Sequence, residues 1–425
     1  MQTRERNLHR VVSSLVVLGV TGTLTACGGG STSSGVVVQS DKARITAPVL
    51  AAGDLAQLAS DNNHFAVDLY QAVRAPAGNL IFSPESISIA LAMTYAGAAG
   101  TTATQMASAL HFSLAPARLH PAFDALDLAL TSPGSGAGTF QLSLANALWA
   151  QQGFTLQPTF LDLLAENYGA GVHLVDFESA TESARLSINQ WVSEKTAGKI
   201  PDLLMQGVLD PSTRLVLTNA VYFKADWVTS FDKDSPDGTF NAPSGPVTVP
   251  MMRGPENVAL WTGNGYSAAS LPYVGGTTSM VLIVPDAGTF DTFEAGLTAD
   301  TLAAITAAPD ATQGALSMPR FKFTRSFGLR DVLMQLGMTD AFAPELADFS
   351  GIDGQRDLLI SDVIHQADIA VDEKGTEAAA ATAVVIRTQA VVSNNLFIDR
   401  PFLFLIRDDA TSSILFMGRV SDPSQ

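Results

Sequence analysis

Residues 373–383 read Glu-Lys-Gly-Thr-Glu-Ala-Ala-Ala-Ala-Thr-Ala and continue into Val-Val-Ile-Arg-Thr-Gln-Ala. Helix propensity alone predicts a helix for the alanine run. Counted with a period of two, however, alternate residues share one uncharged and mostly small face: Thr376, Ala378, Ala380, Thr382, Val384 and Ile386. Glu377 and Arg387 lie on the opposite face. Such a face predicts a segment that can be an exposed loop and can also enter the middle of an existing sheet.

The composition bounds the kind of protein. The chain has 425 residues, of which 47% are hydrophobic, so it can bury a large core. Its formal charge of −17 argues against nucleic acid or an anionic membrane surface as a partner. Solubility by itself is a sufficient explanation for a charge of this size.

The N-terminus has the features of an export signal. Three arginines precede an apolar stretch at residues 11–20, which is too short to span a membrane. The sequence Leu-Thr-Ala-Cys then ends at Cys27, the only cysteine, and resembles the lipobox of bacterial lipoproteins, whose cysteine is acylated. Cys27 is therefore predicted to be a lipid attachment point. The alternative is an ordinary signal peptide with an incidental cysteine.

These features predict three regions. Residues 1–26 are a lipoprotein signal peptide, residues 27–49 are the acylated cysteine with a flexible tether, and residues 50–425 are one large domain. The protein is expected to be exported and held in the cell envelope, at the outer membrane, or to be extracellular. Membrane attachment would then depend on the lipid on Cys27.

Hydrophobic spacing predicts an α+β domain. Helices are predicted at residues 50–73, 86–95, 159–168 and 182–195. The helix at 86–95 follows Ser83 and Pro84 and is expected to be buried. Strands are predicted at residues 215–223, 279–284, 314–323, 402–406 and 413–420. Helices dominate the first half and strands the second, which favours an α+β architecture.

Enzyme motifs are absent from the sequence. It contains no Gly-x-Ser-x-Gly elbow, His-Glu-x-x-His motif, phosphate-binding loop or dinucleotide fingerprint. The six histidines show no metal-ligand spacing, so neither a metal nor a cofactor is predicted. A Ser-His-Asp enzyme without a local motif stays open, because such triads are assembled in space.

Several blocks of sequence resemble one family. The segment Asp-Glu-Lys-Gly-Thr-Glu-Ala-Ala from Asp372 resembles the hinge of the serpins, the serine protease inhibitors. Further similar blocks follow in the family's order: Asn79–Ile87, Thr218–Trp227, Leu271–Tyr273, Met318–Phe321, Leu336–Met338, Arg400–Phe404 and Phe416–Val420. The resemblance covers residues 50 to 425 without large gaps, and this many ordered blocks are far more specific than one.

The resemblance implies a fold and a mechanism. The fold would be a single large domain of three β-sheets and about nine helices, with an exposed reactive-centre loop. An inhibitory serpin is attacked as a substrate by a serine protease, forms a covalent acyl complex, and inserts the cut loop as a new central strand. Because a buried unpaired charge is costly, the entering side chains must be small and uncharged. A non-inhibitory serpin acting as a binding or carrier protein is the alternative.

The resemblance also assigns roles to residues. The hinge comprises Glu373, Lys374, Gly375, Thr376, Glu377, Ala378, Ala379, Ala380, Ala381 and Thr382. Gly375 is expected to supply backbone freedom, and Thr376 to enter the sheet first. The shutter beneath the central strands would comprise Ser83, Ser86, Asn219 and His365. The breach, where insertion begins, would comprise Trp227 and a salt bridge between Glu373 and Arg320, with arginine where lysine is often found.

Two peptide bonds are candidates for the reactive bond. A standard hinge length counted from Glu373 places it at Gln389–Ala390. The bond Arg387–Thr388 would suit a trypsin-like protease but leaves the hinge two residues short. We favour Gln389 because insertion length is a mechanical constraint. The expected partner is a serine protease, with a cysteine protease as a further possibility, and the inhibitor itself is expected to be a monomer.

Overall fold

The computed structural model describes residues 35–131, 140–232, 235–307, 310–376 and 394–425. Within these ranges the chain forms ten α-helices, one short 3-10 helix and eighteen strands. The helices are α1 (Asp54–Val73), α2 (Pro84–Tyr95), α3 (Gly100–Ala109), α4 (Pro116–Thr131), α5 (Pro158–Tyr168), α6 (Phe177–Lys195), α7 (Phe290–Ala295), α8 (Ala299–Thr306), α9 (Arg330–Gln335) and α10 (Ser350–Asp353); the 3-10 helix is Asp340–Phe342.

The strands divide into three sheets. In chain order they are β1 (Val36–Val38), β2 (Leu80–Phe82), β3 (Gln141–Gln151), β4 (Val172–Val175), β5 (Leu215–Asp226), β6 (Gly238–Ala242), β7 (Gly245–Val249), β8 (Met251–Arg253), β9 (Val258–Gly263), β10 (Tyr266–Pro272), β11 (Thr278–Pro285), β12 (Thr312–Pro319), β13 (Phe321–Gly328), β14 (Ile360–Val371), β15 (Gly375–Thr376), β16 (Asn395–Phe397), β17 (Phe402–Asp408) and β18 (Ile414–Val420). Helices dominate before β5 and strands after it, which confirms the predicted α+β class.

The seven-stranded sheet, here named the central sheet, has the order β1-β4-β3-β5-β15-β14-β13. Strands β5 and β14 are parallel, and they pair directly from Leu215 to Val221. The two-residue strand β15 lies between them at one end and is antiparallel to both. The central sheet is therefore closed along most of the β5–β14 contact and open at one end, where it already holds a short third strand.

Helix α2 lies between the central sheet and the nine-stranded sheet, where it packs on β3, β5 and β18. Every residue from Pro84 to Thr94 is buried. Ser83 caps the helix by accepting a hydrogen bond from the Ser86 amide, and Pro84 occupies the first helical position. The predicted buried helix with serine and proline at its start is confirmed. Its first turn is thereby placed directly beneath the central strands.

One predicted strand is wrong in its extent. Residues 314–323 form the end of β12 and the beginning of β13, which belong to different sheets. Arg320 separates the two strands, and its amide donates to the Pro250 carbonyl at 3.0 Å. Each strand buries about every second residue over this range, so a β-type pattern runs on from one strand into the next, and periodicity does not reveal the crossing between sheets.

Residues 35–49, here named the N-terminal strap, are arranged differently from the predicted flexible tether. They lie against the domain, with β1 at the edge of the central sheet. The glycine- and serine-rich composition before them predicts a linker, but Val36, Val37 and Val38 are strong β-formers. Among the described residues, no helix is both long enough and apolar enough to cross a membrane.

Candidate functional site

Two residues of the predicted hinge, Gly375 and Thr376, lie inside the central sheet as β15. Thr376 pairs with Ala225 of β5 and with Val371 of β14, and only 1% of it is exposed. Its hydroxyl group forms a hydrogen bond of 2.7 Å with the Tyr273 hydroxyl. Thr376 thus lies at the inward position that the period-two pattern predicts for the first entering residue. The rest of the predicted hinge, from Glu377 to Thr382, lies outside the described residues.

Gly375 is required for a reason other than the predicted backbone freedom. Its φ is not in the left-handed region, in contrast to many other glycines of the chain. A Cβ atom at this position would instead lie 2.1 Å from the Ala225 carbonyl oxygen and 2.7 Å from the Asp226 Cα. These contacts are backbone atoms of β5, which cannot swing aside. Glycine therefore allows the hinge to approach β5 closely.

A tight turn returns the chain from β14 into β15. The Asp372 carboxylate accepts hydrogen bonds from the amides of Lys374, at 2.8 Å, and Gly375, at 3.3 Å. The Asp372 amide donates to the Gly375 carbonyl at 2.9 Å. An aspartate that binds amides two and three residues on stabilises a reversal of the chain. This role of Asp372 is not apparent from the hinge pattern.

Trp227 fixes this turn from the side of β5. Its indole Nε1 donates to the Asp372 carbonyl at 3.0 Å, and its amide donates to the Lys374 carbonyl at 2.7 Å. The indole stacks on the Tyr273 ring, with centroids 4.4 Å apart and an angle of 16° between the planes. Trp227, Tyr273 and Thr376 thus form one continuous packed group where the central sheet is open.

Arg320 and Glu373 form the predicted ion pair. The arginine Nε donates to Glu373 Oε1 at 2.6 Å, and Nη2 contacts the same oxygen. The arginine side chain is 44% exposed and that of Glu373 only 11%. Because one partner is well solvated, the pair contributes little to stability, in the range of about 0–1 kcal/mol. The ion pair fixes the position of the turn that contains Glu373. It does not join β5 to β14.

The four predicted shutter residues meet in one buried network. Asn219 of β5 and His365 of β14 are paired across the two strands, and the His365 Nδ1 contacts the Asn219 side-chain oxygen. The Ser83 amide donates to the His365 Nε2 at 3.1 Å. The Asn219 side-chain nitrogen donates to the Ser86 hydroxyl at 2.5 Å. Since Nε2 accepts a hydrogen bond, the proton of neutral His365 is on Nδ1.

Asn146 is a fifth member that sequence reasoning missed. Its side-chain oxygen accepts hydrogen bonds from Ser86 at 2.9 Å and from Asn219. It lies on β3 directly opposite Asn219. The available signal was an asparagine within the otherwise apolar stretch 144–150 of β3, a position that needs a buried polar partner. The network therefore links β3, β5, β14 and α2 at the closed part of the central sheet.

Burial keeps His365 neutral. It lowers the pKa of His365 from 6.5 to about 3. The unfolded chain binds a proton near pH 6.5 that the folded protein does not bind until about pH 3. The stabilisation due to neutral His365 is therefore complete above pH 6.5 and is lost as the pH falls toward 3. We expect this loss to be about 1.4 kcal/mol for each pH unit.

The variant His365→Gln isolates this contribution. A glutamine side chain also offers a donor group and an acceptor group, but it does not titrate. We expect the wild type to lose more free energy of unfolding than this variant as the pH falls from about 7.5 to about 4.5. Urea unfolding of both proteins measures this difference. Other buried histidines are present in both proteins and cancel. A difference that does not change with pH would contradict the assignment.

Three predicted features lie outside the described residues. They are the bond Gln389–Ala390, its rival Arg387–Thr388, and Cys27. Within the described ranges, no group of three or more histidine, cysteine or acidic side chains has the arrangement of a metal site. The geometry therefore favours a site that works by a change of conformation. A turn lies at the open end of the central sheet, and a buried polar network lies at its closed part.

Comparisons with known proteins agree with this geometry. A family model described as serpin (serine protease inhibitor) matches residues 60–423. Human leukocyte elastase inhibitor is 39% identical over 388 residues, which cover 86% of this chain and 100% of that protein. Tengpin, a thermophilic serpin solved in its native state, has a TM-score of 0.80 and 30% identity, over 90% of this chain and 97% of tengpin.

A fourth comparison concerns a binding protein. Thyroxine-binding globulin in complex with thyroxine has a TM-score of 0.77 and 30% identity, over 86% of this chain and 99% of the globulin. The family model covers well over half of the chain, and the elastase inhibitor is related along its whole length. These matches establish that the chain belongs to the serpin family.

Proposed function

We propose that this protein is an irreversible suicide-substrate inhibitor of serine endopeptidases, with cysteine endopeptidases as a further target class. The observation that supports this most strongly is the position of Thr376. It already lies between β5 and β14, and the residues that follow continue the small, uncharged face. A protein whose loop stayed exposed and never entered the sheet would not need this pattern.

The proposed reaction begins as ordinary proteolysis. The protease hydroxyl or thiol attacks the carbonyl carbon of the reactive residue, and the peptide C–N bond breaks. The new amino terminus leaves with a proton, and the inhibitor stays attached as an ester or thioester. The freed loop then extends β15 between β5 and β14 and carries the protease with it. Trapping succeeds only if insertion is faster than hydrolysis of the acyl bond.

We place the reactive bond at Gln389–Ala390 and keep Arg387–Thr388 as the alternative. The first choice gives the inserting segment its full length, and the second offers a side chain suited to trypsin-like enzymes. Mass spectrometry of the fragment released when the complex forms distinguishes them, because the two new amino termini differ by two residues.

A panel of serine and cysteine proteases provides the main test. The mature domain is incubated with each enzyme, and the products are separated on a denaturing gel. We expect at least one protease to give a covalent complex that survives denaturation. If every protease merely cleaves residues 377–393 and is released active, the protein is not an inhibitor of these classes.

The second candidate is a non-inhibitory binding or carrier protein. It is favoured by the similarity to thyroxine-binding globulin, a member of the family described by its complex with a small ligand. The same gel tests this alternative, because a carrier would be cleaved without forming a complex. The small-residue hinge pattern supports the inhibitor instead.

We further propose that the protein is exported and anchored through an acylated Cys27, which is supported by the lipobox-like sequence alone. The variant Cys27→Ser, compared with the wild type by mass spectrometry and by membrane fractionation, tests this proposal. Loss of the acyl mass and of membrane association is expected. A wild-type protein without an acyl group would contradict it.

A further inference from the structure

A surface cavity lies where four segments of the chain meet, and it shares no residue with the hinge, the breach or the shutter. Its volume is about 390 Å³, which lies within the range of small-ligand clefts. The four segments are the β6–β7 hairpin, the end of β11, residues 286–291 at the beginning of α7, and the connection 399–401 that leads into β17. The proposed inhibition does not use this cavity.

Hydrogen bonds hold the walls of the cavity in place. The Asn241 amide and side-chain nitrogen both donate to the Asp399 carbonyl, at 2.7 and 3.1 Å, and join the hairpin to the connection. The Arg400 Nε donates to the Pro285 carbonyl at 2.9 Å and joins the connection to β11. The cavity is thus formed before a ligand enters, which lowers the entropy cost of binding.

The lining is largely apolar and poor in free hydrogen-bond donors. Five of its residues have apolar side chains: Pro243, Pro285, Ala287, Phe290 and Pro401. The three prolines have no backbone N–H group to donate. The Asn241 side-chain nitrogen and the Arg400 Nε donate to backbone carbonyls, and the Arg400 Nη1 donates to the Asp399 carboxylate at 3.1 Å. A ligand that brings its own donors fits this lining best.

The lining is also negatively charged. It contains the carboxylates of Asp286, Asp291 and Asp399 and the guanidinium of Arg400, so three negative charges and one positive charge give a formal charge of −2. Arg400 is already paired with Asp399. Asp286 and Asp291 are exposed, and within the described residues their carboxylates have no hydrogen-bond or ion-pair partner. The charge of −17 on the whole protein adds to the attraction of cations.

We propose that this cavity binds a small organic cation with an ammonium group on a flat apolar body, such as an aromatic amine. The ammonium group supplies the donors that the lining lacks and is held by the carboxylates of Asp286 and Asp291. The flat body packs on the prolines and on the Phe290 ring, which also attracts a cation. A fixed cavity of this volume favours a small molecule over the broad surface that a protein partner buries.

Isothermal titration calorimetry of the mature protein with tryptamine tests this proposal. Tryptamine joins an ammonium group to a flat indole ring by a short chain. Indole-3-propionate is the matched control ligand, because it keeps the ring and the chain and replaces the ammonium group with a carboxylate. We expect saturable binding of tryptamine that weakens as salt is added, and no binding of indole-3-propionate.

A second control ligand separates the cavity from an acidic surface. Propylamine has the ammonium group of tryptamine but no ring, so it can be attracted by the carboxylates without filling the apolar part of the cavity. We expect it to bind at least about tenfold more weakly than tryptamine, because the apolar contact is lost.

Two substitutions remove the charges that would hold the ammonium group. Asp286→Asn and Asp291→Asn keep the size of the side chain. We expect each to weaken tryptamine binding by about threefold, and the double variant to weaken it by about tenfold. The matched control is Asp300→Asn, which removes an exposed carboxylate of α8 outside the cavity and should leave the binding unchanged.

Three outcomes would overturn the proposal: no saturable binding of tryptamine, equal binding to the wild type and the double variant, or equal binding of propylamine and tryptamine. If a tri-lysine peptide binds in place of tryptamine and loses affinity in the double variant, the cavity belongs to a protein-docking surface and the proposal is also wrong. None of these measurements uses a protease, so the proposal and the proposed function can fail independently.

Discussion

Replacing Thr376 with arginine is expected to turn the protein from an inhibitor into a substrate. Thr376 is 1% exposed, lies between β5 and β14, and shares a hydrogen bond with Tyr273. A guanidinium group there would be buried without an acidic partner or would keep the hinge out of the sheet, at a cost of several kcal/mol. Insertion would slow while hydrolysis of the acyl bond continued. The yield of covalent complex should fall by at least about tenfold.

The yield is measured on a denaturing gel, as the ratio of covalent complex to loop-cleaved protein. Thr376→Val is the matched control, because it keeps the size of the side chain and removes only the hydroxyl group. The valine variant should still form complex. If the arginine variant traps its protease as well as the wild type does, side chains at this position do not enter the sheet.

Cleavage within residues 377–393 is expected to raise the thermal stability of the wild-type protein strongly. At present β5 and β14 form a parallel ladder, whereas β15 is antiparallel to both. Extension of β15 would replace one parallel ladder with two antiparallel ones, which are slightly more stable for each residue. A net gain of about 5 kcal/mol would raise the melting temperature of a domain of this size by roughly 6 °C.

Calorimetry of intact and cleaved protein provides this measurement. The cleaved Thr376→Arg variant is the control, since its loop should be cut normally but fail to insert. We expect its melting temperature to change little on cleavage. An unchanged melting temperature for the cleaved wild type would show that the cut loop stays outside the sheet, and the proposed mechanism of trapping would be wrong.

The sequence predicted the central features of the site because they are local. The alternation that begins at Thr376 depends only on neighbouring residues, and the caps of α2 follow from Ser83 and Pro84. The partners across the sheet were less accessible. Tyr273 directly follows β10 and Asn146 belongs to β3, and only the fold shows that they contact Thr376 and Asn219. Long-range polar pairs leave little trace in a single sequence.

Two other differences have clear physical causes. The crossing at Arg320 was missed because two half-buried strands from different sheets follow each other with the same alternating pattern. The N-terminal strap was predicted to be a tether because Gly and Ser precede it, although Val36 to Val38 form a run of strong β-formers. The ion pairs of Arg44 with Asp124 and Asp127 of α4, which also hold the strap, join residues far apart in the chain and are visible only in the fold.

The close approach of Gly375 to β5 has a kinetic consequence. A two-residue strand is the costly beginning of a longer one, because its backbone must be ordered before many hydrogen bonds can form. Here that nucleus exists in the uncut protein, at a position where even a methyl group would collide with the Ala225 carbonyl. In the proposed mechanism, the cleaved loop would not have to search for its place between β5 and β14. Insertion would be propagation from a fixed end, in a single register, which would favour it in the competition with hydrolysis.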